Sequence, residues 1–488
     1  MANDQTTSHY DLVVVGAGAT GLGAARSAKR AGHRVALVEK ARPGGDCTFF
    51  GCIPSKALLE TARRVQAARS GPAYGFTAPL VVNFAAVMDR VAAVVDHTAE
   101  DESPALLAAE GIDLLAGWGR FTSPTSLLVD DRPITFDKAV LASGSRALIP
   151  AIDGLTEVGY LDNSTVFGLR ELPEHLLVLG GGPIGVELAQ AFRRLGSDVT
   201  LVEGTASLIG REEPEAQQAV TDVLRREGVT VRLGASATRV SAGPTVHLSD
   251  GSSVTGSHLL VAVGRRPSTD GIGLETTGAT LDRAQRIVVD KHLRAAENLW
   301  AAGDCASALQ FTHVGDEQGR LAARNAFAAR GRAGAWSDRV VPWVTFTEPE
   351  VAHVGLTEAQ AYAQYGERAV VSIVPDSRMD RARTAGELDG FTKLIAVKGR
   401  LGGMALGHLV GMTVVGPMAG EQIGVGALAM RARLLVGRLA QTTTAYPTWS
   451  MATRIAAARF FGTYGGSSAR PAQPTQPTQP TQPTPPPS

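Results

Sequence analysis

Short apolar runs alternate along this chain with helix-length segments of mixed polarity. Residues 12–39 read LVVVGAGATGLGAARSAKRAGHRVALVE, and residues 176–203 read LLVLGGGPIGVELAQAFRRLGSDVTLVE. Each stretch predicts a buried strand, a glycine-rich turn, a helix ending before Gly32 or Gly196, and a second strand. Each closes on a glutamate, Glu39 or Glu203, set at the same distance from the first glycine of its turn, Gly16 or Gly180. The chain therefore carries two copies of one strand–turn–helix–strand unit.

The pattern continues beyond the repeat. Residues 214–233 (PEAQQAVTDVLRREGVTVRL) predict a helix that begins acidic and ends basic, followed by a strand. The RREG run then complements a helix dipole and marks no partner-binding patch. KAVLASGSRALIP (138–150) and SHLLVAVGRRPST (257–269) each place a buried-type strand before a glycine turn, at Gly144 and Gly264. In LWAAGDCA (299–306) another strand runs into a turn with Asp304 at its end. From about residue 342 the character changes. PWVTFTEPEVAHVGLTEAQA, FTKLIAV and HLVGMTVVG carry no phosphate-binding turn, so a separate α+β domain is expected. From about Ser467 the chain becomes PAQPTQPTQPTQPTPPPS, which cannot bury a core and predicts an extended, disordered tail.

Composition narrows the class. A length of 488 residues calls for two to four domains, and 44% hydrophobic with 19% charged residues is the profile of a soluble globular protein. The 47 basic and 47 acidic side chains cancel, so charge supplies no reason to expect nucleic acid or an anionic membrane as partner. The apolar runs are too short to span a bilayer, and MANDQTTSHY lacks a secretory signal. Three cysteines argue against a disulfide-stapled extracellular protein, so the cytoplasm is the expected compartment.

Two GxGxxG turns in full strand context point to two dinucleotide sites. Gly16, Gly18 and Gly21 would bring backbone amides and a helix N-terminus to one pyrophosphate, and Gly180, Gly182 and Gly185 to the other. Glu39 and Glu203 would accept hydrogen bonds from ribose hydroxyls. An acid at position 203 favours a free 2′-hydroxyl and hence NADH, although Arg211 keeps NADPH within reach. Directly after the first unit comes GGDCTFFGCIPSK, residues 44–56. Cys47 and Cys52, at the start of a predicted helix with Pro54 early in it, can alternate between disulfide and dithiol. Two buried structural cysteines are the plain alternative, against which the flanking GG and IPSK weigh. Because the cysteines follow the first unit, its ligand is expected to be a resident flavin and the second ligand an exchanging cofactor.

GGDCTFFGCIPSK, the two GxGxxG units and AAGDCA together resemble the class I pyridine nucleotide–disulfide oxidoreductases. That family includes dihydrolipoamide dehydrogenase, glutathione reductase and mercuric reductase, and the resemblance covers roughly residues 10–465. It implies an α/β fold with two Rossmann-like dinucleotide-binding domains and a C-terminal α+β dimerisation domain. FAD is expected at residues 10–155 and 285–340, NAD(P)H at 156–284 and the dimerisation domain at 341–465, between a polar tail (1–9) and a disordered one (466–488). The family pattern makes Cys52 the flavin-proximal, charge-transfer thiol and Cys47 the interchange thiol. Lys56 and Glu187 match an ion pair beside the reactive part of the flavin. Asp304 matches the FAD ribityl and phosphate contact, with Thr312 and His313 just beyond it. Gly45, Gly119, Gly144 and Gly264 complete the expected cofactor contacts. Cys305, inside the GDC turn, is expected to be structural, and no resident metal is expected.

The chain departs from the family at YPTWSM, residues 446–451, where thiol–disulfide members resemble HPTxSE. Tyr446 stands in place of the histidine base and Met451 in place of its glutamate. A phenol with a reference pKa near 10 is a poor base at neutral pH. Tyrosine here is similar to mercuric reductases, as are GGDCT, FTHV and PWVTFTEPEVAHVG. Yet no cysteine pair follows Cys305, and with a first strand near residue 11 no N-terminal metal-capture domain is expected. The implied enzyme passes electrons from NAD(P)H through FAD and Cys47/Cys52 to a metal ion, a quinone or an unusual disulfide, as a homodimer in which Tyr446 faces the partner's Cys47. A dihydrolipoamide dehydrogenase with a displaced base, and a diaphorase or transhydrogenase with spectator cysteines, stay open.

Overall fold

The computed structural model describes residues 8–399 and 403–474. The described residues form two compact units, one running to Ile209 and again from Thr221 to Asp338, the other made of Gly210–Val220 and the described residues from Arg339 on.

The first unit holds both copies of the repeat. Ser8–Val15 is flanked in parallel by Val35–Glu39 and Arg132–Leu141. Asp113–Ala116 extends the sheet on one side and Leu299–Ala301 on the other. Leu299–Ala301, far along the chain, thus joins the first sheet. The central strands are buried on both faces, which is why LVVV and ALV read as unbroken apolar runs. Helix Ala19–Arg30 shares a core with helix Thr312–Ala326 through Leu22, Ala25, Ala322 and Ala326. A Cβ at Gly319 would lie 2.1 Å from the Thr20 carbonyl oxygen, so this close crossing requires glycine. Residues 1–9 were expected to form a polar tail, but the first strand opens at Ser8, paired with Ile134.

The second copy builds a separate parallel sheet in the order Thr230–Leu233, Asp198–Glu203, His175–Leu179, His258–Val261. A three-stranded antiparallel meander, Ala237–Ser241, Thr245–Leu248 and Ser253–Thr255, shares its core through Val240, Val246 and Leu248. Helix Pro214–Arg226 carries Glu215 in its first turn and Arg225 and Arg226 in its last, as the charge pattern predicts.

The second unit is a six-stranded antiparallel sheet: Pro342–Thr345, Glu350–Gly355, His408–Gly416, Phe391–Val397, Ala369–Pro375 and Arg470–Pro471. Alternation along its strands sorts the two faces. Ala352, Val354, Leu394, Met412 and Val414 join one apolar core with Ile423, Ala452 and Ala456. The intervening positions Trp343, His353, Thr413 and Lys393 lie in register across the other face. Its last strand corrects one expectation. Of the tail expected from residue 466, Arg470–Pro471 pairs with Val370 and Val371, Ala472 is buried, and the Arg470 guanidinium meets Glu358. Three edge interactions thus hold a segment whose composition predicts no structure; residues 475–488 lie outside the described residues.

Candidate active site

Both glycine turns are built alike. Gly16 takes φ +101° and Gly180 φ +107°, conformations that side chains other than hydrogen rarely adopt. A Cβ at Gly21 would fall 1.7 Å from the Gly16 carbonyl oxygen, and one at Gly185 would fall 1.9 Å from that of Gly180. Each helix therefore starts hard against its turn. Gly18 and Gly182 are the N-cap residues, and no side chain caps either helix, which suits a phosphate on the first-turn amides. The two acids hold the turns open. Glu39 accepts from the Ala17 amide at 2.8 Å and the Ala41 amide at 2.9 Å; Glu203 accepts from Gly181 at 2.6 Å and Thr205 at 2.7 Å. A carboxylate has about four acceptor sites, so each retains capacity for a ribose hydroxyl.

The cysteine segment abuts the first turn. The Gly44 amide donates to the Ala17 carbonyl at 2.8 Å, and a Cβ at Gly45 would come within 2.7 Å of the Gly18 Cα. Cys47 lies on the short helix Gly45–Phe50 and Cys52 opens the helix Cys52–Arg69. Both are free thiols, Cys47 half-buried and Cys52 exposed. Each thiol acts on the other: Cys52 drives the Cys47 pKa up, and Cys47 brings that of Cys52 down to about 6. Thr312 Oγ1, 3.3 Å from Cys52 Sγ, and the Lys56 ammonium lower it further, against burial and the Glu187 charge. A helix N-terminus adds to this preference for a thiolate.

Lys56, one turn along the Cys52 helix, pairs with Glu187 at 2.8 Å. Glu187 is buried on helix Pro183–Leu195, which follows the second glycine turn, so the pair ties the dithiol helix to the second repeat. Asp304 accepts from Ser145 Oγ at 2.5 Å and lies 3.8 Å from Arg265; burial pushes its pKa up against both. His313 stacks on Phe311 with ring centroids 5.6 Å apart. Gly144 (φ +70°) and Gly264 (φ +141°) occupy turns that favour glycine. Gly119 has a packing reason: it is buried, and a Cβ would meet Val38 at 3.1 Å and Val15 at 3.4 Å. Cys305 is wholly buried, with its Sγ 3.2 Å from the Ala302 carbonyl oxygen, and burial lifts its thiol to about 11. That is a packed thiol.

In the second unit Tyr446 is 69% exposed, and its hydroxyl donates to Asp380 at 3.0 Å, which raises the phenol pKa. Trp449 lies under the Arg381 guanidinium at 5.3 Å. Asp46, Ser145, Asn163 and Arg265 are neighbours of the Cys47 helix that motif reading passes over, as Asp380 is a neighbour of Tyr446. Asp46 was visible inside GGDC and Arg265 directly after Gly264, but their mutual contact depends on the tertiary fold.

Comparison with known proteins gives this arrangement its class. The pyridine nucleotide-disulphide oxidoreductase model matches residues 10–319 and the dimerisation domain of the same family matches residues 341–457. The chain belongs to the pyridine nucleotide–disulfide oxidoreductases and is an FAD- and NAD(P)H-dependent disulfide oxidoreductase of class I. It is 36% identical over 476 residues to a mercuric reductase of Streptomyces lividans, covering 93% of this chain and 97% of that protein. A mercuric reductase of Bacillus cereus is 32% identical over 94% of this chain and 72% of its own length. Among solved structures, the Cu(II) complex of the HOCl-induced flavoprotein disulfide reductase RclA from Escherichia coli superposes with TM-score 0.82 and 29% identity, covering 93% and 99% of the two chains. LpdA from Mycobacterium tuberculosis superposes with TM-score 0.83 and 28% identity, covering 93% and 99%. Among the described residues, no helix is long and apolar enough to cross a membrane.

Proposed function

We propose that this enzyme is an NADH-preferring, mercuric-reductase-like reductase in which Cys47 and Cys52 hand electrons to a metal ion or a quinone. The observation that carries the reading is the placement of the two thiols on consecutive helices, with Cys52 at a helix start, 3.3 Å from Thr312 Oγ1 and one turn from the Lys56–Glu187 pair.

Gly16, Gly18, Gly44 and Gly45 would hold the FAD pyrophosphate, with Glu39 at its ribose and Asp304 along the ribityl chain. Gly180, Gly182 and Gly185 would hold that of NADH, whose 2′-hydroxyl Glu203 accepts. Bound FAD supplies two-electron transfer between the nicotinamide and the disulfide. The remaining chemistry belongs to this chain. Cys47, Thr312, Lys56 and the helix start would favour the Cys52 thiolate at neutral pH, while Cys47 would keep its proton and meet the acceptor. Each turnover of the pair carries two electrons, and the single proton held by Cys47 is released when the thiolate and thiol close to the disulfide.

Tyr446 bears on the acceptor. A phenol already donating to Asp380 is a weak proton donor to a leaving thiolate and a weak base at pH 7. An acceptor that leaves as a thiol would want the missing imidazole; a metal ion or quinone would not. Relatives named mercuric reductase and a neighbour solved with Cu(II) support the metal-ion arm. By the family's dimer pattern, Tyr446 would face Cys47 of the partner subunit, which makes the homodimer the working unit.

NADH oxidation with a mercuric thiolate complex, Cu(II), a soluble quinone and lipoamide, each against Cys47→Ser and Cys52→Ser, tests this reading. We expect the metal or quinone rate to exceed the lipoamide rate at least tenfold and to collapse in both variants. A lipoamide rate equal to the others, or full turnover in both serine variants, would overturn it.

A further inference from the structure

The helix Gly45–Phe50 that carries Cys47 has only six residues and no side-chain N-cap, so it is marginal by itself. It is held from outside. Asn163, 8% exposed, uses one amide nitrogen to reach both of its ends: Asp46 Oδ1 at 2.9 Å and the Phe50 carbonyl oxygen at 3.3 Å. Arg265 donates to Asp46 Oδ2 at 2.9 Å, to Ser145 Oγ at 2.8 Å and to the Ser145 carbonyl at 3.1 Å. Ser145 in turn donates to Asp304. The residue directly before Cys47 is therefore gripped on both carboxylate oxygens, and the grip runs through Arg265 to the acid proposed to contact the cofactor.

We propose that Arg265, Asp46 and Asn163 are positioning residues that set the reduction potential of the Cys47–Cys52 couple. A disulfide closes only when the two Cβ atoms come within about 3.5–4.5 Å in the right orientation. Cys52 starts a long helix, so the register of the short helix decides how often Cys47 is in reach. A rigid bracket raises the effective concentration of one thiol at the other and favours the disulfide. Loosening it favours the dithiol and moves the potential upward. The idea rests on the proposed redox role of the cysteines, yet it can fail separately.

The test equilibrates the purified holoenzyme with glutathione buffers, in which two glutathiones plus the protein disulfide give glutathione disulfide plus the dithiol, and counts free thiols by alkylation. For Arg265→Gln we expect the closure constant to fall at least tenfold, equal to about 30 mV for this two-electron couple. Asp46→Asn should shift it in the same direction, the double variant should add little, and Arg265→Lys should recover part of the loss. Arg146→Gln, which removes an exposed pair with Asp270 nearby in sequence, should leave it unchanged. Closure constants for Arg265→Gln and Asp46→Asn within threefold of the parent would overturn the proposal, as would an equal shift in Arg146→Gln. A parent protein that never closes the disulfide would instead defeat the reading of the function.

Discussion

Two lysines of this molecule pair with glutamates, and they do so for opposite ends. Lys56 keeps a third of its side chain in water and meets one carboxylate, Glu187, at 2.8 Å. Lys393 is 1% exposed in the middle of a sheet and meets three: Glu213 at 3.0 Å, Glu215 at 2.9 Å and Glu358 at 2.8 Å. Burial alone would drive the Lys393 pKa down, but the three carboxylates outweigh it and hold the ammonium charged. Glu358 also pairs with Arg470, so two cations stand against the three carboxylates 213, 215 and 358 within the second unit. Glu213 and Glu215 come from the short segment Gly210–Val220, far from Lys393 in sequence, which makes this cluster a fastening for that segment. The Lys56 pair ties two helices together through one contact. Its value lies in a cation held at a fixed place one helical turn from Cys52.

The contrast is broken most severely by Lys393→Met. Removing one partner of a buried ion cluster leaves charges without compensation, at about 3–5 kcal/mol. The apparent unfolding temperature should fall on the order of 10 °C, while the pH profile of Cys52 stays put. An unchanged melting curve would mean the cluster is not what holds Gly210–Val220.

At the other lysine the expected effects move from stability to thiol chemistry. Alkylation of Cys52 by iodoacetamide should rise with a midpoint near pH 6 in the parent protein. Thr312→Val removes a hydroxyl that donates to the thiolate and should raise that midpoint by about one unit, since such a bond contributes roughly 1 kcal/mol. Lys56→Met should raise it by less, and Glu187→Gln should lower it, because those two charges act in opposite directions. Shifts of the same sign in the Lys56 and Glu187 variants would dissolve the distinction drawn here.

The smallest effect is expected at Glu212, a buried acid bonded to Trp343 Nε1 at 2.6 Å, with its second oxygen buried and without a hydrogen-bond partner among the described residues. Burial lifts its pKa to about 7, above the value of an unfolded chain. The unfolded state therefore loses its proton first as pH rises, and folding stability is lost between about pH 4.5 and 7. Glu212→Gln cannot ionise, so it should melt a few degrees higher than the parent at pH 8 and not at pH 4. Equal melting differences at both pH values would show that Glu212 does not titrate in this window.

Much of the active site was legible because its parts are local. A glycine turn between a strand and a helix needs residues close in sequence, and Gly16, Gly21 and Glu39 fall within one such unit, as do Gly180, Gly185 and Glu203. Cys47, Cys52 and Lys56 lie within ten positions of one another, so their motif names their chemistry. Glu187 was found only because the family pattern pairs it with Lys56 across 131 positions. Arg265 and Asn163 were missed for the complementary reason: one opens a short strand, the other lies in a turn, and each gains meaning only from Asp46, 219 and 117 positions away. The tail reading erred at its near end because composition counts what a segment can bury by itself. Arg470 and Ala472 bury nothing alone but complete the edge of a sheet formed elsewhere.

The sequence by itself determined the two dinucleotide units, the redox cysteines and the loss of the usual histidine–glutamate pair, since each is written in short-range spacing that backbone geometry can read directly. Only the tertiary structure decided that the Tyr446 hydroxyl donates to Asp380 and that Arg265 reaches Asp46 on the Cys47 helix. Those depend on distances between residues far apart in the chain, and electrostatic energies fall off with distance in space and not with separation in sequence.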